Sequence, residues 1–363
     1  MKNINLIALN ADFEIISLLS YTNLQWNRKY HKSGYFSVQI PLKQYRNDIQ
    51  YIYTKDRPEM GKVTQINYIG KNGYRAIQLS GYFLEKQLDR FVVYPSGVGN
   101  IGNAPGWIEQ SGPAEDVAVA FFDGFKSVTV GGVTASLKVD RTESRGRGNT
   151  AKHTRNGEQL GHKIYNILKP SGLSYRVSYD FVNNIQNFEV WGGFDRTDSQ
   201  YDNNPVTFST KFGNIKNPDV LLDESNYCNC AIAAKEAQNE GEQNYVRAVL
   251  EAADENYCFA YVASALRPDD YSATEEFYSA MENEAHLEIQ NRTKTVSVEF
   301  DALVGSYEYM TDFELGDKCN VEIPEIGFYA NSRLIGCYEV IKNGEHTLTL
   351  EFGTPVISNT RRK

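Results

Sequence analysis

The stretch from Asp312 to Pro355 restricts how this chain can fold more than any other. It alternates apolar and polar side chains in three runs, Leu315–Pro324, Arg333–Lys342 and Glu345–Gly353, separated by short turns. A period of two is what a half-buried pleated strand requires. Asn343-Gly344 parts the last two runs, and Asn-Gly closes two-residue hairpins because both residues tolerate left-handed backbone angles. A fainter echo lies between Met60 and Gly81, where a glycine opens a strand, Asn72-Gly73 turns the chain and a second alternating run ends at glycine. The echo predicts a duplicated β-barrel scaffold rather than an active site.

Composition narrows the class. A chain of 363 residues with 41% hydrophobic content buries a sizeable core and suggests two or three domains. Its 46 acidic against 37 basic residues, a net charge of -9, disfavour sequence-specific nucleic-acid binding and leave room only for passive contact with DNA. The 24 Tyr and 18 Phe, set among Val, Ile and Thr, favour strands and broad subunit contacts. Asn and Asp break the N-terminal apolar residues too early for a secretory signal, and no run reaches the roughly 18 apolar residues that span a bilayer. The expectation is a protein made soluble, without stable membrane insertion. Five cysteines, an odd number, fit a reducing compartment and buried thiols.

Three regions follow along the chain. Residues 1–95 read as a first β-barrel module, with strands at Phe13–Leu19, Leu24–Tyr30 and Gly34–Pro41, and a short helical turn at Leu84–Arg90. Residues 96–204 read as an α+β insert. It opens with a loop over 96–112, followed by a helix from Pro113 to Phe125 with Val117, Phe121 and Phe125 on one face. A second helix covers Glu158–Leu168, ended by Lys169-Pro170, and strands start near Tyr175 and Phe188. Residues 205–363 read as a second β-barrel module, with strands at Val206–Thr210, Tyr227–Ala234, Tyr245–Leu250 and Lys294–Phe300. An acidic helix near 269–290 interrupts it, with Phe277, Met281 and Ala285 spaced by four.

Few residues suggest chemistry. Gly97-Val-Gly-Asn-Ile-Gly102 has the spacing of a nucleotide-binding turn, but Asn103-Ala-Pro-Gly106 follows at once. No helix can then present its N–H groups to a pyrophosphate, so the segment reads as loop and no cofactor is expected. Cys228 and Cys230 point to one side of a strand without His or a second Cys pair at ligand spacing, and read as buried thiols against which Cys258 packs. The five histidines are scattered, and no nucleophile elbow or phosphate loop occurs. Two carboxylate pairs, Asp195 with Asp198 near Trp191 and Asp312 with Glu314, have the residue types of a glycosidase, whose carboxylate separation decides the matter. They equally suit solvated loops, and no enzyme is expected. Arg141 to Arg155 is the one basic concentration. It reads as a flexible loop whose Arg141, Arg145, Arg147 and Arg155 face water, a partner's carboxylates or a phosphate backbone.

Six segments in order, Leu24–Pro41, Leu79–Arg90, Gly112–Val117, Phe188–Thr197, Leu221–Cys230 and Phe313–Asp317, resemble the Gp37-like tail proteins of long-tailed siphophages, a family related to the baseplate hub. The resemblance covers nearly the whole chain. It implies a β-rich α+β, multidomain, hub-like architecture with two β-barrel modules flanking an α+β region. Three subunits with two modules each would form a homotrimeric ring that closes the distal tail tube and meets a hexameric tail ring. Implied partners are the distal tail ring protein, the tape-measure protein and tail-tip or receptor-binding proteins, with DNA passing passively through a central channel. The implied place is the virion tail tip or baseplate, after synthesis in the bacterial host cytoplasm. Some related hubs carry a cell-wall-degrading region after the scaffold. This chain stops ten residues past Gly353, so that activity is expected in another protein. Trp26, Tyr35, Phe36 and Tyr68 read as core or ring-contact aromatics, and Gly34, Gly61, Gly316, Gly336 and Gly353 as turn and strand-end formers. Two other functions share this composition: a host-receptor or carbohydrate-binding module, which needs an exposed Tyr/Trp platform, and a glycoside hydrolase.

Overall fold

A computed structural model describes residues 4–71, 74–95, 101–237, 241–251, 257–292, 294–303 and 305–353. Two compact units divide the chain: residues up to Asp219 together with Val298–Gly353, and Val220–Ser297. The chain opens with seven strands: β1 (Leu6–Leu9), β2 (Ile15–Leu19), β3 (Asn23–Lys29), β4 (Tyr35–Pro41), β5 (Tyr51–Tyr53), β6 (Gly61–Lys71) and β7 (Tyr74–Phe83). The predicted alternation is visible in β4, where Phe36, Val38 and Ile40 are buried while Tyr35 is exposed and Ser37 and Gln39 are half-buried. The expected helical turn, Leu84–Arg90, is a 3-10 helix that buries Leu84 and Leu88.

The next segment holds strands β8 (Ile101–Gly102) and β9 (Glu109–Pro113), helix α1 (Ala114–Phe125), strands β10 (Ser127–Val130), β11 (Val133–Ser136), β12 (Asp140–Arg141) and β13 (Thr150–Thr154), helix α2 (Leu160–Leu168), and strands β14 (Ser174–Asp180) and β15 (Ile185–Trp191). Both helices start within two residues of their predicted positions. Val117, Phe121 and Phe125 of α1 join Leu160, Ile164 and Ile167 of α2 and Tyr175 and Phe188 of the β14–β15 pair in one buried core. Part of the expected 96–112 loop is paired instead, β8 with β10 and β9 with β13. Gly97 to Asn100 of the glycine motif lie outside the described residues.

The remaining strands are β16 (Asp195–Arg196), β17 (Thr207–Ser209), β18 (Ile215–Asp223), β19 (Cys230–Lys235), β20 (Tyr245–Leu250) and β21 (Phe259–Ala263), then, after helix α3 (Thr274–Asn291), β22 (Thr295–Ala302), β23 (Lys318–Ile323), β24 (Phe328–Lys342) and β25 (Glu345–Gly353). The second unit stacks α3 on the three-stranded β20-β19-β21 sheet, burying Phe277, Met281, Ala285 and Ile289 against Ala231, Ala233, Val249 and Ala260. The acidic helix was expected from Asp269. Pro268–Asp270 instead forms a separate 3-10 turn, and α3 begins at Thr274.

The two expected β-barrels do not form. Strands from both ends of the chain join one fourteen-stranded sheet along the path β18-β22-β25-β24-β3-β4-β7-β6-β5-β1-β2, with β23, β16 and β17 branching from β24. Barrel closure requires the first and last strands to pair, and among the described residues β2 pairs only with β1 while β18 lies at the other end of the path. The link is β24, whose Gly336 to Lys342 run antiparallel to Lys29 to Asn23 of β3. The Met60–Gly81 echo and the closing hairpin are therefore two arms of one sheet, on either side of the β3–β4 hairpin. Asn343 and Gly344 do close the β24–β25 hairpin with positive φ of 52° and 85°, while Asn72-Gly73 lies outside the described residues.

Candidate assembly interface

The sheet around β4 sorts the predicted aromatics by side. Trp26 and Phe36 are core, 0% and 1% exposed, and Trp26 packs on Phe36 and Phe83 at ring distances of 5.8 and 4.8 Å. Gly61 is small because of this cluster and not because of a turn: a Cβ there would lie 2.4 Å from the Phe36 ring. On the outward face Tyr35, Ser37 and Gln39 stand opposite Tyr82, Ser80 and Gln78. Ser37 accepts from Gln78 at 2.8 Å and from Ser80 at 3.1 Å. Tyr35 and Tyr82 are exposed at the end of this polar row, and Lys86 lies 5.6 Å from the Tyr82 ring centre. Tyr68 sits opposite Ile77, on the core side of β6, yet it and Ile66 are exposed because this end of the strand overhangs the core.

Beneath the sheet lies a buried ionic junction that the sequence reading passed over. Arg28 of β3 pairs with Glu59 at 2.8 Å, donates to the Tyr309 hydroxyl at 2.6 Å and reaches Glu314 at 3.3 Å. The Trp26 indole N–H donates to the same Glu59. Arg57 donates twice to Glu339 of β24, at 2.9 and 2.5 Å. Burial alone lowers the Arg28 pKa, but Glu59, Tyr309 and Glu314 hold it charged, well above its ordinary value. Burial raises Glu339, yet His346 and Arg57 bring it below the usual carboxylate range. A signal was present in the alternation, since Leu24, Trp26 and Arg28 share one face of β3 and a buried arginine needs anions. Nearby, a cavity of about 30 Å³ is lined by Arg28, Glu59, Glu85, Tyr165 and Tyr175. Burial pushes the Glu85 carboxyl up to about 7.

The basic segment is mostly satisfied within the protein. Arg141 pairs with Asp123 at 2.6 Å. Arg147 forks onto Glu115 at 2.9 and 3.0 Å and donates to the Val190 carbonyl. Arg155, buried, donates to the carbonyls of Tyr94, Pro95, Pro105 and Trp107. Arg145 is the most exposed of the four, 4.0 Å from Glu189. The expected flexible loop is in part strand, because Thr150–Thr154 forms β13.

The other candidates acquire plain roles. Cys228 and Cys230 are buried free thiols. Cys258 is exposed, but its backbone N–H donates to the Asn229 side chain at 2.8 Å. Burial raises the Asp195 carboxyl, but the Thr197 N–H and hydroxyl bring it below its ordinary value, the opposite of a general acid. Asp312 accepts from the Glu308 N–H at 2.6 Å. No tryptophan is an open platform: Trp26 and Trp191 are buried and Trp107 is half-buried. Among the described residues no group of three or more His, Cys, Asp or Glu is arranged to hold a metal ion, and no helix is long and apolar enough to cross a membrane.

This fold is that of phage tail proteins. It is similar to the tail protein from Neisseria meningitidis MC58 (13% identity, 97% of each chain covered, TM-score 0.58). It is also similar to the 43 kDa tail protein of prophage MuSo2 from Shewanella oneidensis (11% identity, 96% of this chain and 98% of that one, TM-score 0.60). A third is the prophage tail protein gp18 from Listeria monocytogenes EGD-e (9% identity, 98% and 96%, TM-score 0.52). No curated protein sequence matches the chain. Residues 6–354 match the family of siphovirus ReqiPepy6 Gp37-like proteins, and the chain belongs to that family. It is a structural protein of a phage or prophage tail, related to the baseplate hub.

Proposed function

We propose that this chain is the tail hub itself: a homotrimer that closes the distal end of the tail tube and connects it to the tail tip. The observation that carries the reading is the open sheet. Its path ends at β2, where Ile15 and Leu18 are 67% and 64% exposed. An uncovered edge strand with exposed aliphatic side chains is an aggregation hazard in a monomer and a joint in an assembly. In this account residues 1–95 and 205–363 supply the ring and 96–204 an insert beside it. The partners are the distal tail ring protein, the tape-measure protein and tail-tip or receptor-binding proteins, with DNA passing through the channel without being read.

Replacing Ile15 and Leu18 by lysine tests the edge. Both side chains are mostly exposed, so the subunit should fold and melt as before, while sedimentation should show a trimer replaced by monomer. A trimer that survives both lysines would remove β2 from the contact.

A further inference from the structure

The three-stranded sheet of the second unit is apolar on both faces. Cross-strand register places Leu250, Cys230 and Phe259 in one row, Ala248, Ile232 and Tyr261 in the next, and Val246, Ala234 and Ala263 in the third. These nine side chains occupy the face opposite α3, and none is charged. A sheet with one solvated face normally alternates apolar-in and polar-out. Here Val246, Leu250, Phe259 and Tyr261 are 51%, 57%, 58% and 55% exposed. The charge of β20 lies on the other side, where Arg247 rests over the Tyr278 ring of α3 at 3.3 Å and pairs with Glu282 at 3.5 Å. One helix covers one face; on the other, Cys230 and Ala234 of the central strand are buried while Val246, Leu250, Phe259 and Tyr261 of the flanking strands stay exposed.

Charge indicates what covers it. Val220 to Ser297 contain 15 acidic and 5 basic residues, so this segment alone carries -10 of a chain whose total is -9. The acidity reaches the edge of the apolar face, where Glu236 accepts from the Tyr261 hydroxyl at 3.0 Å. Two copies stacked face to face would oppose two such charges, and nucleic acid would be repelled in the same way. We propose that the outer face of the β20-β19-β21 sheet docks a cationic protein surface with an apolar centre and a Lys/Arg rim. Three strands about 4.8 Å apart and five residues of about 3.3 Å each make a patch of roughly 240 Å². A typical partner contributes about 800 Å², so the patch is the dry centre of a contact whose rim is ionic. The proposal is independent of the trimer, whose test reads β2.

The test titrates full-length protein with two fluorescent strand-forming peptides of one apolar pattern, alternating Leu/Lys and alternating Leu/Glu. The Leu/Lys peptide should bind, weaken as salt is raised from 0.05 to about 0.5 M, and bind at least ~10-fold more weakly to Leu250→Ser/Phe259→Ser/Tyr261→Ser. The Leu/Glu peptide should not bind. Circular dichroism confirms that the triple variant is folded, and Tyr261→Ser alone, at an exposed site, provides a milder second variant that should lower affinity in the same direction. No binding of the Leu/Lys peptide, equal binding of both peptides, or unchanged affinity in both variants overturns the proposal. So does a self-association of wild type that the triple variant abolishes, which would assign the face to a second copy.

Discussion

Replacing Arg28 by methionine probes the ionic junction most directly. Arg28 and Glu59 are 6% and 5% exposed, so removing the cation strands a carboxylate in the interior. Breaking one side of such a buried pair costs about 3–5 kcal/mol, against about 5–15 kcal/mol for a whole domain. At about 2–4 °C per kcal/mol for a unit of this size, the melting temperature should fall by roughly 6–20 °C. Arg28→Met/Glu59→Leu removes both charges and should recover at least about half of the loss. The residue of the loss is the Trp26 indole N–H, which then lacks its acceptor, at about 1–3 kcal/mol. Thermal and urea unfolding followed by tryptophan fluorescence measure Arg28→Met, Glu59→Leu and the double variant. A single variant that loses less than about 1 kcal/mol, or a double variant whose loss is the sum of the singles, would show that the pair does not hold β3 in place.

Other outcomes follow from the same structure. Glu85, ordinarily near 4.5, is raised by burial to about 7, so the folded state binds its proton more tightly than the unfolded chain and stability falls as pH rises between those values. Glu85→Gln should therefore be more stable than wild type at pH 8, by up to about 3 kcal/mol, and equal to it near pH 4; parallel stability-versus-pH curves would contradict this. Gly61→Ala should cost about 1–3 kcal/mol through its clash with Phe36, and Phe36→Leu should cost less in that background than alone, as a double-mutant cycle would show. Arg155→Lys cannot serve four carbonyls and should lose about 2 kcal/mol, whereas Arg145→Ala should stay within about 0.5 kcal/mol in the same melts.

Local structure was legible wherever one element's own side chains decide it. The stripes on α1 and α2, the β14–β15 pair and the Asn343-Gly344 turn follow from periodicity and backbone preference. Partner choice was not. Gly336 to Lys342 alternate in the same way whether they close a barrel or pair with Asn23 to Lys29, some 300 residues earlier; that is why one shared sheet was read as two barrels. The basic segment misled for a related reason. Arg147 and Arg155 look like surface charge until Glu115 and four loop carbonyls are brought around them. Arg28 was legible in principle, as an arginine at an inward position of an apolar strand, but its anions come from residues 59 and 314.

The most direct test of the hub assignment is the mass of the full-length chain in native mass spectrometry, alone and mixed with the distal tail ring protein of the same virus. A species of three times 41.1 kDa, free or within the complex, is predicted. A 41.1 kDa monomer in both samples would contradict it.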